Sequence, residues 1–122
     1  RGLAMDFMPY SEIRDLSSSE RIKKILDIVL LNKIIVLQGR LKPEEEARLI
    51  EDTMAMIGHV KNFSGIELAV INASDDAGFF SKLGQGIAKM LVGDTVSMTI
   101  IGPASIVKDI KKDPKKIELL LQ

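Results

Sequence analysis

Hydrophobic residues along the chain recur alternately at a period of two and a period near 3.6, which predicts strands and helices taking turns. Residues 3–8 alternate well enough for a short first strand, closed by Pro9. Ser17-Ser18-Ser19-Glu20 reads as a capping box, the Ser17 hydroxyl and the Glu20 carboxylate satisfying opposed backbone donors at a helix start. Behind it Ile22, Ile25, Leu26 and Val29 recur at helical spacing, while Arg21, Lys23, Lys24 and Asp27 fill the other face. Residues 33–38 are the clearest strand, because Ile34, Ile35, Val36 and Leu37 in a row suit a strand covered on both faces. Gly39-Arg40-Leu41-Lys42 turns the chain, and Pro43 suits a first helical turn. Glu44, Glu45 and Glu46 then complement the positive end of the helix dipole. Ala47, Ile50, Met54 and Ile57 are expected as the buried stripe of this second helix, with Gly58 as its stop.

Further on, Gly65 leads into a third strand over residues 66–71, ending at Asn72-Ala73-Ser74-Asp75-Asp76. Residues 79–92 read as a helix weakened by Gly84 and Gly86. Residues 96–101 make a fourth strand stopped by Gly102-Pro103, residues 104–111 a short helix, and residues 117–121 a last strand. The order β-α-β-α-β-α-β-α-β favours βαβ units and a mainly parallel sheet in a small α/β layered sandwich. A ferredoxin-like α+β sandwich is the alternative, since the short first and last strands could pair antiparallel.

Composition narrows this picture. At 122 residues the chain has the size of one domain, able to bury an ordinary core without staples. Seventeen basic and seventeen acidic residues cancel, which argues against gripping bulk nucleic acid or anionic membrane. Cysteine is absent, which excludes disulfides, thiolate metal sites and cysteine nucleophiles. No run approaches the length of a membrane span, so a cytoplasmic protein is expected. Arg1 is not an initiator and Met5 would make a first residue, so residues 1–4 read as a remnant to which no function is given.

Four segments carry a family resemblance. Leu41-Lys42-Pro43-Glu44-Glu45-Glu46-Ala47-Arg48-Leu49-Ile50-Glu51-Asp52-Thr53-Met54 is similar to the signature of an archaeal family of unknown function. Ile34-Ile35-Val36-Leu37, Phe63-Ser64-Gly65-Ile66-Glu67-Leu68 and Met98-Thr99-Ile100-Ile101-Gly102-Pro103-Ala104 resemble its other segments, in order. The family tends to have an acidic residue and two glycines where this chain has Gln38, Gly39 and Arg40. It prefers threonine where Lys42 stands, which forfeits a side-chain N-cap. The resemblance implies an archaeal cytosolic protein and a link to an Era-like GTPase encoded beside such proteins. It brings no reaction, cofactor or catalytic residue.

The residues themselves offer few sites, and no catalytic set, metal cluster or cofactor loop can be assembled from them. Successive glutamates point about 100° apart on a helix, so Glu44 to Glu46 are read as dipole complements rather than an acid/base pair. His59 is the lone histidine, too little for a metal site and more simply a helix-end residue in solvent. Gly84-Gln85-Gly86 lacks the lysine and spacing of a phosphate loop. Candidate ligand-binding residues are Arg40, a forked anion anchor; Asp75, in a loop after a strand; and Gly102 and Ser105, where helix amides could receive an anion. Each has a plain structural reading beside it: surface ion pair, solvated turn, or tight turn. Lys108, Lys111, Lys112, Lys115 and Lys116 form a solvated face or a weak phosphate-backbone contact, without aromatic residues for base stacking.

The leading expectation is a non-enzymatic interaction or regulatory module, working as a homo-oligomer or with a protein partner. Met54, Met56, Met90, Val92, Phe79 and Phe80 supply adaptable apolar surface for it, or else complete the core. The rival is a small-molecule or nucleotide-binding enzyme. Its site would form where Gln38-Gly39-Arg40, residues 72–76 and residues 102–105 converge at the carboxyl ends of parallel strands. RNA contact through the C-terminal lysines is a third expectation.

Overall fold

The Ser17 hydroxyl accepts from the Glu20 amide at 3.2 Å, and the Glu20 carboxylate accepts from the Ser17 amide at 3.0 Å. The capping box therefore opens a helix where the sequence placed one. The computed structural model describes residues 4–59, 65–72 and 97–113. These form β1 (Met5–Met8), a 3-10 turn (Tyr10–Glu12), α1 (Ser18–Val29), β2 (Ile34–Gln38) and α2 (Pro43–Ala55). After them come β3 (Ile66–Asn72), β4 (Ser97–Pro103) and α3 (Ala104–Lys112). The helix expected over residues 79–92 and the strand over 117–121 lie outside the described residues.

The sheet is mixed rather than mainly parallel, in the order β1-β2-β4-β3. β1 runs parallel to β2, with Met5 beside Ile34, and α1 crosses between them as a βαβ unit. β4 runs antiparallel to both of its neighbours, β2 and β3. An apolar run signals burial on two faces, and that burial is equally compatible with either strand direction once helices cover both faces. Helices do cover both faces here, unlike the one-sided cover of a ferredoxin-like sandwich. α1 and α2 pack on one side through Ile22, Ile25, Val29 and Leu49 against Ile35, Leu37 and Ile101. α3 closes the other through Val107 and Ile110 against Ile34, Val36, Met98 and Ile100. All four apolar residues of β2 are fully buried, as their sequence predicts.

Two glycines mark where β2 and β4 meet. A Cβ on Gly102 would stand 3.0 Å from Ile34 Cγ1 on the neighbouring strand, so a side chain here would have to push Ile34 aside by a few tenths of an ångström. Gly39 takes a φ of +99°, which L side chains rarely adopt, and turns the chain out of β2. Its amide donates to the Ser97 carbonyl at 3.0 Å, and its carbonyl accepts from the buried Thr99 hydroxyl at 2.7 Å. The turn before α2 is thereby fastened to the sheet.

Candidate functional site

α2 carries two different faces. Its sheet-facing side is Glu45, Leu49 and Thr53, all buried, with the Thr53 hydroxyl donating to the Ile50 carbonyl at 2.9 Å. Its outer side is Pro43, Ala47, Ile50 and Met54; Ile57 lies past the helix end, with its Cδ1 beside Gly65 at the start of β3. The stripe expected in the core is thus on the surface. Ile50 is 37% exposed, Met54 61% and Ile57 43%. The spacing of the outer residues satisfies helical periodicity as well as the true core stripe does, and the core stripe is disguised by a glutamate and a threonine. Exposed Glu44 and Glu51 border the outer face on one side, given about 100° per residue, while Glu46 on the other is half-buried with its Oε2 enclosed.

The disguise has a cause. Glu45 is 2% exposed and lies against Arg21, whose Nη1 is 3.1 Å from Oε2 and 3.3 Å from Oε1. Arg21 was expected on the solvent side of α1, yet it is buried. Its Nε and Nη2 donate to the Ile13 carbonyl at 3.1 and 2.9 Å, and Nη2 also reaches the Arg14 and Leu16 carbonyls at 3.3 Å. The carboxylate accepts in addition from the Ser18 hydroxyl at 2.6 Å and the Lys42 amide at 2.9 Å. Burial pushes the Glu45 carboxyl up, but the Ser18 hydroxyl, the Lys42 amide and the Arg21 charge together hold it below its ordinary value. Lys42 has no lone pair to offer, so Glu45 supplies the working half of this cap. The clasp ties α1, α2 and the segment before α1 together.

Beside the clasp lies a shallow cleft of about 210 Å³, lined by Ser18, Ile22, Lys42, Glu44, Glu45 and Arg48. Its polar floor is already satisfied by the bonds just described. Arg48 is engaged too, with Nη1 3.4 Å from the Ser19 hydroxyl and Nε 3.8 Å from Asp52. The cleft offers a polar margin to the outer face rather than a reaction centre. Among the described residues, no three His, Asp or Glu residues gather as metal ligands.

Of the candidate ligand residues the structure describes, Arg40 stands apart from Gly102 and Ser105. Arg40 is exposed at the carboxyl end of β2, without an ion pair to Glu44–Glu46 among the described residues. Gly102 and Ser105 lie at the other end of the sheet, since Gln38 pairs with Met98 while Gly102 sits four residues further along β4. That is roughly 13 Å of strand. The expected convergence of all three loops required a parallel β4; its reversal carries residues 102–105 to the opposite end, while Gln38 and Asn72, paired with Met98 and Ser97, stay at one end of the sheet. Gly102 is occupied with packing on Ile34, and Ser105 is exposed on the first turn of α3. Asp75, Lys115 and Lys116 lie outside the described residues. Lys111 donates to Glu67 on β3 at 2.6 Å, while Lys108 and Lys112 are exposed on α3. His59 is exposed and its amide donates to the Met56 carbonyl at 3.0 Å.

Sequence reasoning missed Arg21 and Glu45 as a pair, and it missed that Ala47, Ile50, Met54 and Ile57 face outward. One signal was available for the second: the intervals from Pro43 through Ala47 and Ile50 to Met54 are four, three and four residues. That is the narrow seam, at heptad spacing, of a helix that can meet another helix. Among the described residues no helix is long and apolar enough to cross a membrane, so the seam is not part of a span. Comparison with curated proteins and with solved structures returns no match. The sequence model of the family described as Origin-associated protein OapB matches residues 13–122, and the protein belongs to that family.

Proposed function

We propose that the protein is a non-enzymatic interaction module that docks a partner on the outer face of α2. The observation that carries this reading is the exposure of Ile50 and Met54 side by side on a helix whose other side is packed on the sheet. The uncovered parts of these two side chains equal about one whole one, worth about 1.5–3 kcal/mol on burial. That gain suits a reversible contact rather than an obligate oligomer, whose interfaces are several times larger. The clasp of Arg21 and Glu45 holds the face in place, so docking costs little ordering. The family description, origin-associated, fits a protein that acts by association, and an origin is the setting it supplies.

The test is a photo-crosslinking residue placed at Met54, with a second protein carrying it at exposed Lys24 on α1. Both are incubated in extract of the source cells. A discrete adduct from position 54, absent from position 24 and lost on Ile50→Glu, is the expected result. Equal labelling from both positions, or none from position 54, overturns the reading.

A further inference from the structure

We infer that the occupant of this face is an amphipathic helix of another protein, apolar along a 3.5-residue seam and flanked by lysine or arginine. The inference rests on the interaction-module reading and adds the chemistry of the partner. The seam is built for a helix, because residues three and four apart are what knobs-into-holes packing requires. Its flanks specify charge. In heptad terms Ala47 and Met54 take one seam position, and Pro43 and Ile50 the other. Glu44 and Glu51 then fall at one flanking position and Glu46 at the other. Glu46 is half-buried with Oε2 enclosed, so the exposed charge beside the seam is that of Glu44 and Glu51. A second copy docked antiparallel would set the Glu44 and Glu51 sides against each other, which stacks like charges at the border and disfavours that self-pairing. The same carboxylates repel a nucleic-acid backbone and attract a basic flank.

The seam is short. From Ala47 to Met54 is seven residues, about 10 Å of helix, so two heptads of partner cover it. The experiment uses two fluorescein-labelled, two-heptad synthetic peptides with identical leucine and isoleucine seams, one flanked by lysine and one by glutamate. Binding to the full chain is read by anisotropy at low and high salt. The lysine-flanked peptide should bind about tenfold or more tightly than the glutamate-flanked one, with the gap closing as salt rises. The double change Glu44→Lys/Glu51→Lys, checked by circular dichroism for an intact fold, should invert the preference. Equal binding of both peptides, binding of neither, or a preference unmoved by the charge reversal overturns the inferred chemistry. If both peptides bind equally and both are lost on Ile50→Glu/Met54→Glu, the face remains a docking site and only its charge rule fails. Sedimentation that shows a dimer dissolved by Met54→Glu would instead assign the face to a second copy and overturn the inference.

Discussion

Replacing Glu45 with leucine should be among the most damaging single changes to this fold, because of what it leaves behind. Arg21 would remain buried with its positive charge unmatched, a situation that costs about 3–5 kcal/mol when one partner of a buried ion pair is removed. The guanidinium keeps its bonds to the Ile13, Arg14 and Leu16 carbonyls, which places the cost near the lower end. Ser18 and Lys42 lose an acceptor but are exposed, so water replaces it at little cost. The net expectation is a loss of about 3 kcal/mol, read from urea unfolding followed by fluorescence of Tyr10 or by circular dichroism. The double variant Arg21→Met/Glu45→Leu removes both charges and fills the space, and should recover most of the loss. The pair also makes stability depend on pH. The folded Glu45 carboxyl titrates below its ordinary 4.5, so the native state binds fewer protons there than the unfolded chain. Its contribution is complete above about 4.5 and fades as pH falls through the lower, folded value. In the double variant that fading should be absent. A Glu45→Leu loss under about 1 kcal/mol, with no coupling in the cycle, would refute the reasoning.

Three other outcomes follow from the same geometry. Leu49→Ala should cost about 2–5 kcal/mol by opening a cavity under the sheet, whereas Met54→Ala on the outer face should stay within about 0.5 kcal/mol in the same melts. Gly102→Ala should lower stability by about 1–3 kcal/mol, since the new Cβ meets Ile34 Cγ1 at 3.0 Å in the strand beside it, and thermal denaturation would register this. Arg40→Ala should shift the melting temperature only slightly, because Arg40 is exposed and makes no ion pair among the described residues.

What the sequence disclosed was local. The Ser17–Glu20 box, the doubly buried β2 and the proline-led α2 are each set by residues within a few positions of one another, and the structure places all three as read. Strand direction is a different kind of information. Residues 66–71 and 96–101 are mostly apolar and suit a parallel or an antiparallel neighbour equally, and their pairing spans a long stretch of chain that periodicity does not see. The site was misjudged for a related reason. α2 has two stripes of helical spacing, and the one containing a glutamate and a threonine looked like the wet side. Only the arrival of Arg21 from α1 makes Glu45 a residue that can be buried, and that meeting is tertiary.

The most direct measurement of the central claim is methyl NMR of the isoleucine- and methionine-labelled protein during titration with the lysine-flanked helix peptide. The account predicts that the Ile50 and Met54 methyl signals shift together and saturate, while Ile25, Ile35 and Ile101 in the core under α1 and α2 stay still. Shifts spread evenly over the core isoleucines, or confined to the α3 side at Ile106 and Ile110, would contradict it.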